Sequence, residues 1–134
     1  MPNAPKNVAW FEELTRKDVG LVGGKNSSLG EMVRSLGEKG IKVPEGFATT
    51  SDAFRQFVAA NNLETVIAET TTKLAGHKVT LADAGDHIRD AFLHGDFPDE
   101  IREDILGAYR TLCDRLGVKD VAVAVRSSAT AEDL

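Results

Sequence analysis

The sequence predicts a mixed α+β fold, with about five helices packed against a few short strands. Apolar residues recur at helical spacing in several segments, and glycine, proline and asparagine separate these segments. One run, residues 121–125 (VAVAV), is apolar at every position, which is typical of a strand covered on both faces. Hydrophobic residues make up 42% of the 134-residue chain, enough to bury a core and to exclude a disordered chain.

The elements follow from this pattern in chain order. Short strands are predicted at residues 8–11 (VAWF) and 47–50 (FATT), in addition to residues 121–125. The first long helix should end at Leu36, before Gly37 and Gly40. Ser51 is a natural N-cap for the second helix, and Gly117 should end the last one. The predicted helices begin at Gly24 or Lys25, after Ser51, at Leu63, after Thr80 and at Pro98.

Charge and residue usage exclude several classes of protein. The net charge of −5, with lysine and arginine scattered along the chain, argues against nucleic acid as a partner. There is no apolar run of membrane-spanning length and no signal-peptide pattern at the start, so we expect a soluble, cytoplasmic protein. The single cysteine, Cys113, should be a buried structural thiol. The three histidines are dispersed without metal-ligand spacing, and no metal site is predicted.

A glycine loop precedes the first long helix. Gly23 and Gly24 remove side-chain bulk, and Lys25 follows where the helix is expected to begin. Backbone N–H groups at a helix N-terminus are unpaired and favour an anion, so this arrangement is suited to binding phosphate. The spacing differs from that of a Walker A loop. The alternative is a flexible turn followed by a solvated lysine.

A second candidate segment lies near the other end of the chain. The apolar run of residues 121–125 leads directly into Arg126, Ser127 and Ser128. A buried strand often presents ligand-binding groups at its carboxyl end, and an arginine can hold two phosphate oxygens at once. The alternative is an arginine at a strand end that pairs with a surface carboxylate.

Three motifs in this order resemble the PEP/pyruvate-binding enzyme family. They are residues 23–32 (GGKNSSLGEM), 43–50 (VPEGFATT) and 124–134 (AVRSSATAEDL). The resemblance extends from about Val8 to Leu134, and it is closest to the N-terminal part of the phosphoenolpyruvate synthases (pyruvate, water dikinases). Pyruvate phosphate dikinase, rifampicin phosphotransferase and glucan, water dikinase share the pattern in altered form.

The resemblance implies an ATP-grasp-like nucleotide-binding domain, of which residues 1–134 would be the N-terminal subdomain. By residue matching it implies that Lys25 and Arg126 contact ATP phosphates, with weaker contributions from Gly23, Gly24, Ser127 and Ser128. The reaction implied converts ATP, pyruvate and water to AMP, phosphoenolpyruvate and phosphate through a phosphohistidine. The transfer histidine, the pyruvate barrel, the adenine pocket and the magnesium ligands are not matched here. We therefore expect no catalytic residue in this chain, and we expect the rest of the enzyme to be its partner.

Two other functions remain open at this stage. The chain could be a stand-alone nucleotide-binding or regulatory module that keeps the phosphate contacts without catalysis. It could also be a structural helical domain that binds other proteins. The structural-domain hypothesis would be favoured if Lys25 and Arg126 failed to face one cleft.

Overall fold

A computed structural model describes residues 6–131. Residue contacts divide the chain into two compact units, one formed by Met1–Phe54 with Asp99–Leu134 and the other by Arg55–Pro98. In chain order the elements are β1 (Val8–Trp10), α1 (Val19–Val22), α2 (Gly24–Gly37), β2 (Phe47–Thr49), α3 (Ser51–Ala60), α4 (Leu63–Ala75), α5 (Leu81–Leu93) and α6 (Asp99–Leu116). Two short 3₁₀ helices, Phe11–Glu13 and Arg16–Asp18, precede α1. The expected α+β class is confirmed.

The first unit contains the two-stranded sheet. β1 and β2 run antiparallel, and Ala9 lies opposite Ala48 at the centre of the pair. These two small residues are buried with Leu14 and Val22 in one apolar cluster. Close packing of the sheet against the chain around α1 requires small side chains at this point, and alanine on both strands provides them.

Helix α2 is held closely against the chain that follows β1. A Cβ atom on Gly30 would lie 2.5 Å from the Cβ of Leu14 and 2.8 Å from its carbonyl oxygen. Arg34, one turn further along, donates a hydrogen bond of 3.2 Å to the same carbonyl oxygen. A glycine in this helix therefore permits a close approach of backbone to backbone, and this approach holds the middle of α2 against Leu14.

The second unit consists mainly of the helix pair α4 and α5. Thr80 caps α5, because its hydroxyl accepts a hydrogen bond of 3.0 Å from the Asp83 N–H. The Phe57 ring lies 6.0 Å from that of Phe92 and 5.2 Å from that of Phe97, measured between centroids. This unit is therefore stabilised by a local cap and an aromatic cluster, in addition to the packing of α4 against α5.

Most of the predicted elements are confirmed, with differences at particular residues. Both short strands and the five long helices lie where the pattern places them, and Cys113 is buried. Thr50, not Ser51, caps α3, since its hydroxyl accepts from the Ala53 N–H at 3.2 Å while Ser51 donates to the Gly20 carbonyl. α1 was not predicted, because a single turn is too short to show helical periodicity.

The predicted strand at residues 121–125 is wrong. These residues have no regular secondary structure, and Val125 is 91% exposed. A strand requires a neighbour to satisfy its backbone groups, and β1 and β2 form the only sheet within residues 6–131. The apolar pattern of residues 121–125 is thus not accompanied by the strand pairing that it predicts.

No helix within residues 6–131 is both long enough and apolar enough to cross a membrane.

Candidate functional site

The first candidate residue, Lys25, lies in the first turn of α2. Gly23 separates α1 from α2 and adopts a positive φ of 83°, a conformation that favours glycine. Its N–H donates to the Val19 carbonyl oxygen at 2.8 Å and so ends α1. The chain can therefore turn sharply into α2, and the Lys25 side chain lies exposed at the start of the helix.

The second candidate segment contacts this turn directly. The Lys25 Nζ donates a hydrogen bond of 3.3 Å to the Ser127 carbonyl oxygen. The Asn26 N–H donates to the Ser128 hydroxyl at 3.4 Å, and the Gly24 N–H donates to the Ala129 carbonyl oxygen at 3.1 Å. Two motifs about a hundred residues apart in sequence are thus brought together, as an anion site shared between them would require.

Arg126 immediately precedes these contacts. Its side chain is exposed and makes no hydrogen bond or ion pair with any residue in the described part of the chain. The alternative interpretation, pairing with a surface carboxylate, therefore finds no support among residues 6–131. That Lys25 and Arg126 face the same cleft remains a prediction.

The same segment is also fixed at its beginning. The Tyr109 hydroxyl on α6 donates a hydrogen bond of 2.7 Å to the Val121 carbonyl oxygen. Burial and the neighbouring Cys113 thiol raise the pKa of the Tyr109 phenol, which favours the protonated form that donates this hydrogen bond. Although residues 121–125 form no strand, the segment of residues 121–129 is attached at Val121 and again from Ser127 to Ala129.

The glycine loop binds protein groups where an anion was expected. The N–H groups of Gly24 and Asn26 already donate to Ala129 and Ser128. Because each N–H has one proton to donate, these two groups do not point at a ligand in this conformation. The charged side chains of Lys25 and Arg126 are then the groups best suited to phosphate.

Two open clefts and three histidines lie outside the candidate site. The clefts, of about 350 and 280 Å³, are both in the first unit, and neither is lined by Lys25 or Arg126. His77, His87 and His94 are all exposed and belong to the second unit. No group of three or more histidine, cysteine or acidic side chains in residues 6–131 is placed to hold a metal ion.

Comparison with known proteins decides the family. Residues 19–134 match the family described as "Pyruvate phosphate dikinase, AMP/ATP-binding domain". The chain belongs to this family. The matched residues include both α2 and the segment around Arg126, so both halves of the candidate site belong to the region that matches this AMP/ATP-binding domain.

Individual members of the family are also similar. The chain is 48% identical to a phosphoenolpyruvate synthase of Neisseria meningitidis serogroup B, over 98% of this chain and 17% of that protein. It is 47% identical to the phosphoenolpyruvate synthase of Synechocystis, over 95% of this chain and 16% of the relative. The Escherichia coli K12 enzyme of the same name is 44% identical, again over 95% and 16%. The chain thus spans about one sixth of the length of these curated relatives.

Sequence reasoning missed two residues that shape the site, Ala129 and Tyr109. Ala129 contributes only its carbonyl oxygen, which no residue pattern reveals. Tyr109 belongs by its spacing to the apolar face of the last helix, yet its hydroxyl holds the candidate segment. A tyrosine at a half-buried helix position is the signal that could have identified it, because a buried phenol usually finds a hydrogen-bond partner.

Proposed function

We propose that this chain is the ATP-phosphate-binding beginning of the nucleotide domain of a phosphoenolpyruvate synthase. Such an enzyme converts ATP, pyruvate and water to AMP, phosphoenolpyruvate and phosphate through a phosphohistidine. The observation that carries the proposal is the contact between Lys25 and the backbone next to Arg126. The family match and the three similar synthases support the choice of nucleotide and of reaction.

Two fixed cations beside a polyphosphate have a direct effect on phosphoryl transfer. Negative charge is spread over the phosphate oxygens as the bond to the leaving group breaks. Lys25 provides a compact positive charge at the start of α2, and Arg126 provides a planar fork that can bind two oxygens. Cations that are already oriented stabilise this charge without reorganising during the reaction. Their role is to bind and orient the phosphates.

The remaining parts of the reaction would lie in other parts of the enzyme. The resemblance to the dikinase family implies magnesium ligands outside this chain. The same holds for the adenine pocket, the phosphohistidine and the pyruvate site. An ATP-grasp architecture, a cytoplasmic location and a part in gluconeogenesis belong to this proposal as well.

Replacing either cation tests the proposal in the full-length enzyme. Lys25→Ala or Arg126→Ala should slow ATP-dependent phosphorylation of the protein by on the order of a hundredfold, the usual effect of losing one charge-stabilising donor. Exchange of label between pyruvate and phosphoenolpyruvate should change little, because it takes place at a different site. Measuring the two half-reactions separately distinguishes a local defect from general unfolding.

Exposed cations elsewhere provide matched controls. Lys73 on α4 and Arg110 on α6 are exposed, and replacing them with alanine removes the same charges without touching the candidate site. Both variants should phosphorylate at the normal rate. Normal ATP-dependent phosphorylation in Lys25→Ala would contradict the proposal. Equal loss of both half-reactions, together with a lower Tm, would show a structural role instead.

A further inference from the structure

Helix α2 begins without a capping side chain of its own. Its N-cap residue is Gly23, which has no side chain to accept a hydrogen bond from the first turn. The Asn26 N–H, at the third position of the helix, is the group that an N-cap side chain normally accepts from. Here that N–H donates to the Ser128 hydroxyl, 102 residues away in sequence. The helix is therefore capped by a distant segment.

The absence of a side chain on Gly23 makes this arrangement possible. A Cβ atom at position 23 would overlap the Ser128 hydroxyl oxygen, and it would lie 2.8 Å from the Ser128 carbonyl carbon and 3.0 Å from the Ala129 nitrogen. Any side chain on Gly23 would displace the segment that carries Ser128. A cap from residue 23 itself and a cap from Ser128 thus exclude each other.

The cap fixes the segment as well as the helix. The Gly24 N–H bonds the Ala129 carbonyl oxygen at 3.1 Å, and the Lys25 Nζ bonds the Ser127 carbonyl oxygen at 3.3 Å. Three successive residues, Ser127, Ser128 and Ala129, are therefore attached to the first turn of α2. Arg126 directly precedes them, so the position of its backbone relative to Lys25 depends on these bonds.

We propose that Ser128 is a positioning residue, whose hydroxyl caps α2 and thereby holds Arg126 beside Lys25 for phosphate binding. The proposal rests on the proposed function and refines it, because it separates Ser128 from the residues that contact ATP. The hydroxyl of Ser128 is already used as an acceptor by the helix. Ser128 then affects the reaction only by positioning Arg126.

A double-mutant cycle in the full-length enzyme tests this inference. Ser128→Ala should lower kcat/KM for ATP-dependent phosphorylation about threefold to fivefold, the lower range for loss of an N-cap, since the bond of 3.4 Å is long. In an Arg126→Ala background the same substitution should have little further effect, because the residue it positions is already absent. Ser128→Thr keeps the hydroxyl and should retain most of the activity.

A cap of the same kind elsewhere provides the control. Thr80→Ala removes a hydroxyl that accepts from the Asp83 N–H in the second unit. Thr80→Ala should lower the free energy of unfolding about as much as Ser128→Ala does, and it should leave phosphorylation by ATP unchanged. The comparison separates the loss of a helix cap from the loss of positioning.

Four results would overturn the inference. One is an unchanged kcat/KM in Ser128→Ala. Another is an equal decrease with and without Arg126, which would mean that Ser128 acts independently of it. The third is an Arg126→Ala variant with normal activity, which would also remove the proposed function. Exchange between pyruvate and phosphoenolpyruvate should stay normal in all single variants, and its loss would indicate unfolding and contradict positioning.

Discussion

Different kinds of contact stabilise the inside of each of the two compact units of this chain. In the first unit the contacts join residues that are far apart in sequence. The Asn7 side chain donates to the Asp104 carboxylate at 2.8 Å, and the Arg115 guanidinium lies 4.1 Å from the centre of the Trp10 ring. Arg115 also pairs with Glu12 at 2.9 Å. These contacts attach α6 to the strand at the start of the chain.

In the second unit the contacts that define the helices lie within a few residues. Thr80 bonds Asp83, and Thr70 donates to the Val66 carbonyl oxygen at 2.6 Å. The packing of α4 against α5, the cluster around Phe57 and the pairing of Asn61 with Asp96 join more distant residues, all of them within this unit. A substitution in the first unit should therefore affect residues far along the chain. The effects of a substitution in the second unit should stay local.

The largest effect on stability is expected from Gly30→Ala in the first unit. The new Cβ would meet the Cβ and carbonyl oxygen of Leu14, and the Phe11 carbonyl oxygen at 2.9 Å. Two of these atoms belong to the backbone and cannot rotate away. Overpacking costs about 1–3 kcal/mol and outweighs the gain of 0.5–1 kcal/mol that alanine brings to a helix, so the free energy of unfolding should fall by about 1–2 kcal/mol. Urea denaturation measures it.

Gly107→Ala is the matched control for this substitution. Gly107 also lies within a helix of the first unit, α6, but its new Cβ would have no neighbour within 4 Å. The helix preference alone then acts, and the protein should become more stable, by up to about 1 kcal/mol. A stabilised Gly30→Ala variant would show that α2 can move away from Leu14 and that the close approach is not required.

A smaller and more local effect is expected from Thr80→Ala in the second unit. Loss of the cap on α5 should cost about 1 kcal/mol. Amide hydrogen exchange should become faster in the first turn of α5 and stay unchanged in α2. Thr80→Ser keeps the hydroxyl and should restore the wild-type rates. Faster exchange throughout the first unit in Thr80→Ala would remove the distinction between the two units.

This distinction explains which parts of the fold could be predicted. Leu63, Val66, Ile67 and Leu74 lie on one face of α4, and Thr80 precedes α5 as a cap, so the sequence contains most of what defines the second unit. The same holds for α2, where the deciding residues also lie close together in sequence. The strands β1 and β2 lie where their local patterns predict them, but their pairing joins distant residues, such as Val8 with Thr49, and does not follow from those patterns.

Residues 121–129 show where sequence reasoning stops. The run VAVAV has the composition of a strand, but strand formation depends on a partner that composition does not reveal. The contacts of Lys25, Asn26 and Gly24 with residues 127–129 follow only from the folded chain, because two of them use backbone oxygen atoms as acceptors. The resemblance of the motifs to the family predicts that Lys25 and Arg126 belong to one site. It did not predict that Ser128 would cap α2.

The smallest expected effect concerns an ion pair at the start of the first unit. The Lys6 Nζ lies 2.9 Å from the Glu13 carboxylate, and both side chains are about half exposed, at 52% and 48%. This hydrogen bond from Lys6 is the largest cause that lowers the pKa of Glu13, and the Trp10 N–H adds to it at 3.4 Å. Because solvent screens the pair, its contribution should be a few tenths of a kcal/mol and at most about 1 kcal/mol.

The sign of the pH dependence follows from the lowered pKa. The folded state favours the charged carboxylate, so the stabilisation is fully present above the ordinary pKa of a glutamate and is lost as the pH falls through the lowered value. Lys6→Met should therefore destabilise the protein slightly at neutral pH and have almost no effect once Glu13 is protonated. Urea denaturation of both proteins across the acid range measures this difference. Arg89→Met, which removes a more exposed pair with Asp86 in the second unit, should have a still smaller effect at neutral pH. A Lys6→Met defect that persists at acid pH would show that Lys6 stabilises the first unit through packing of its aliphatic chain.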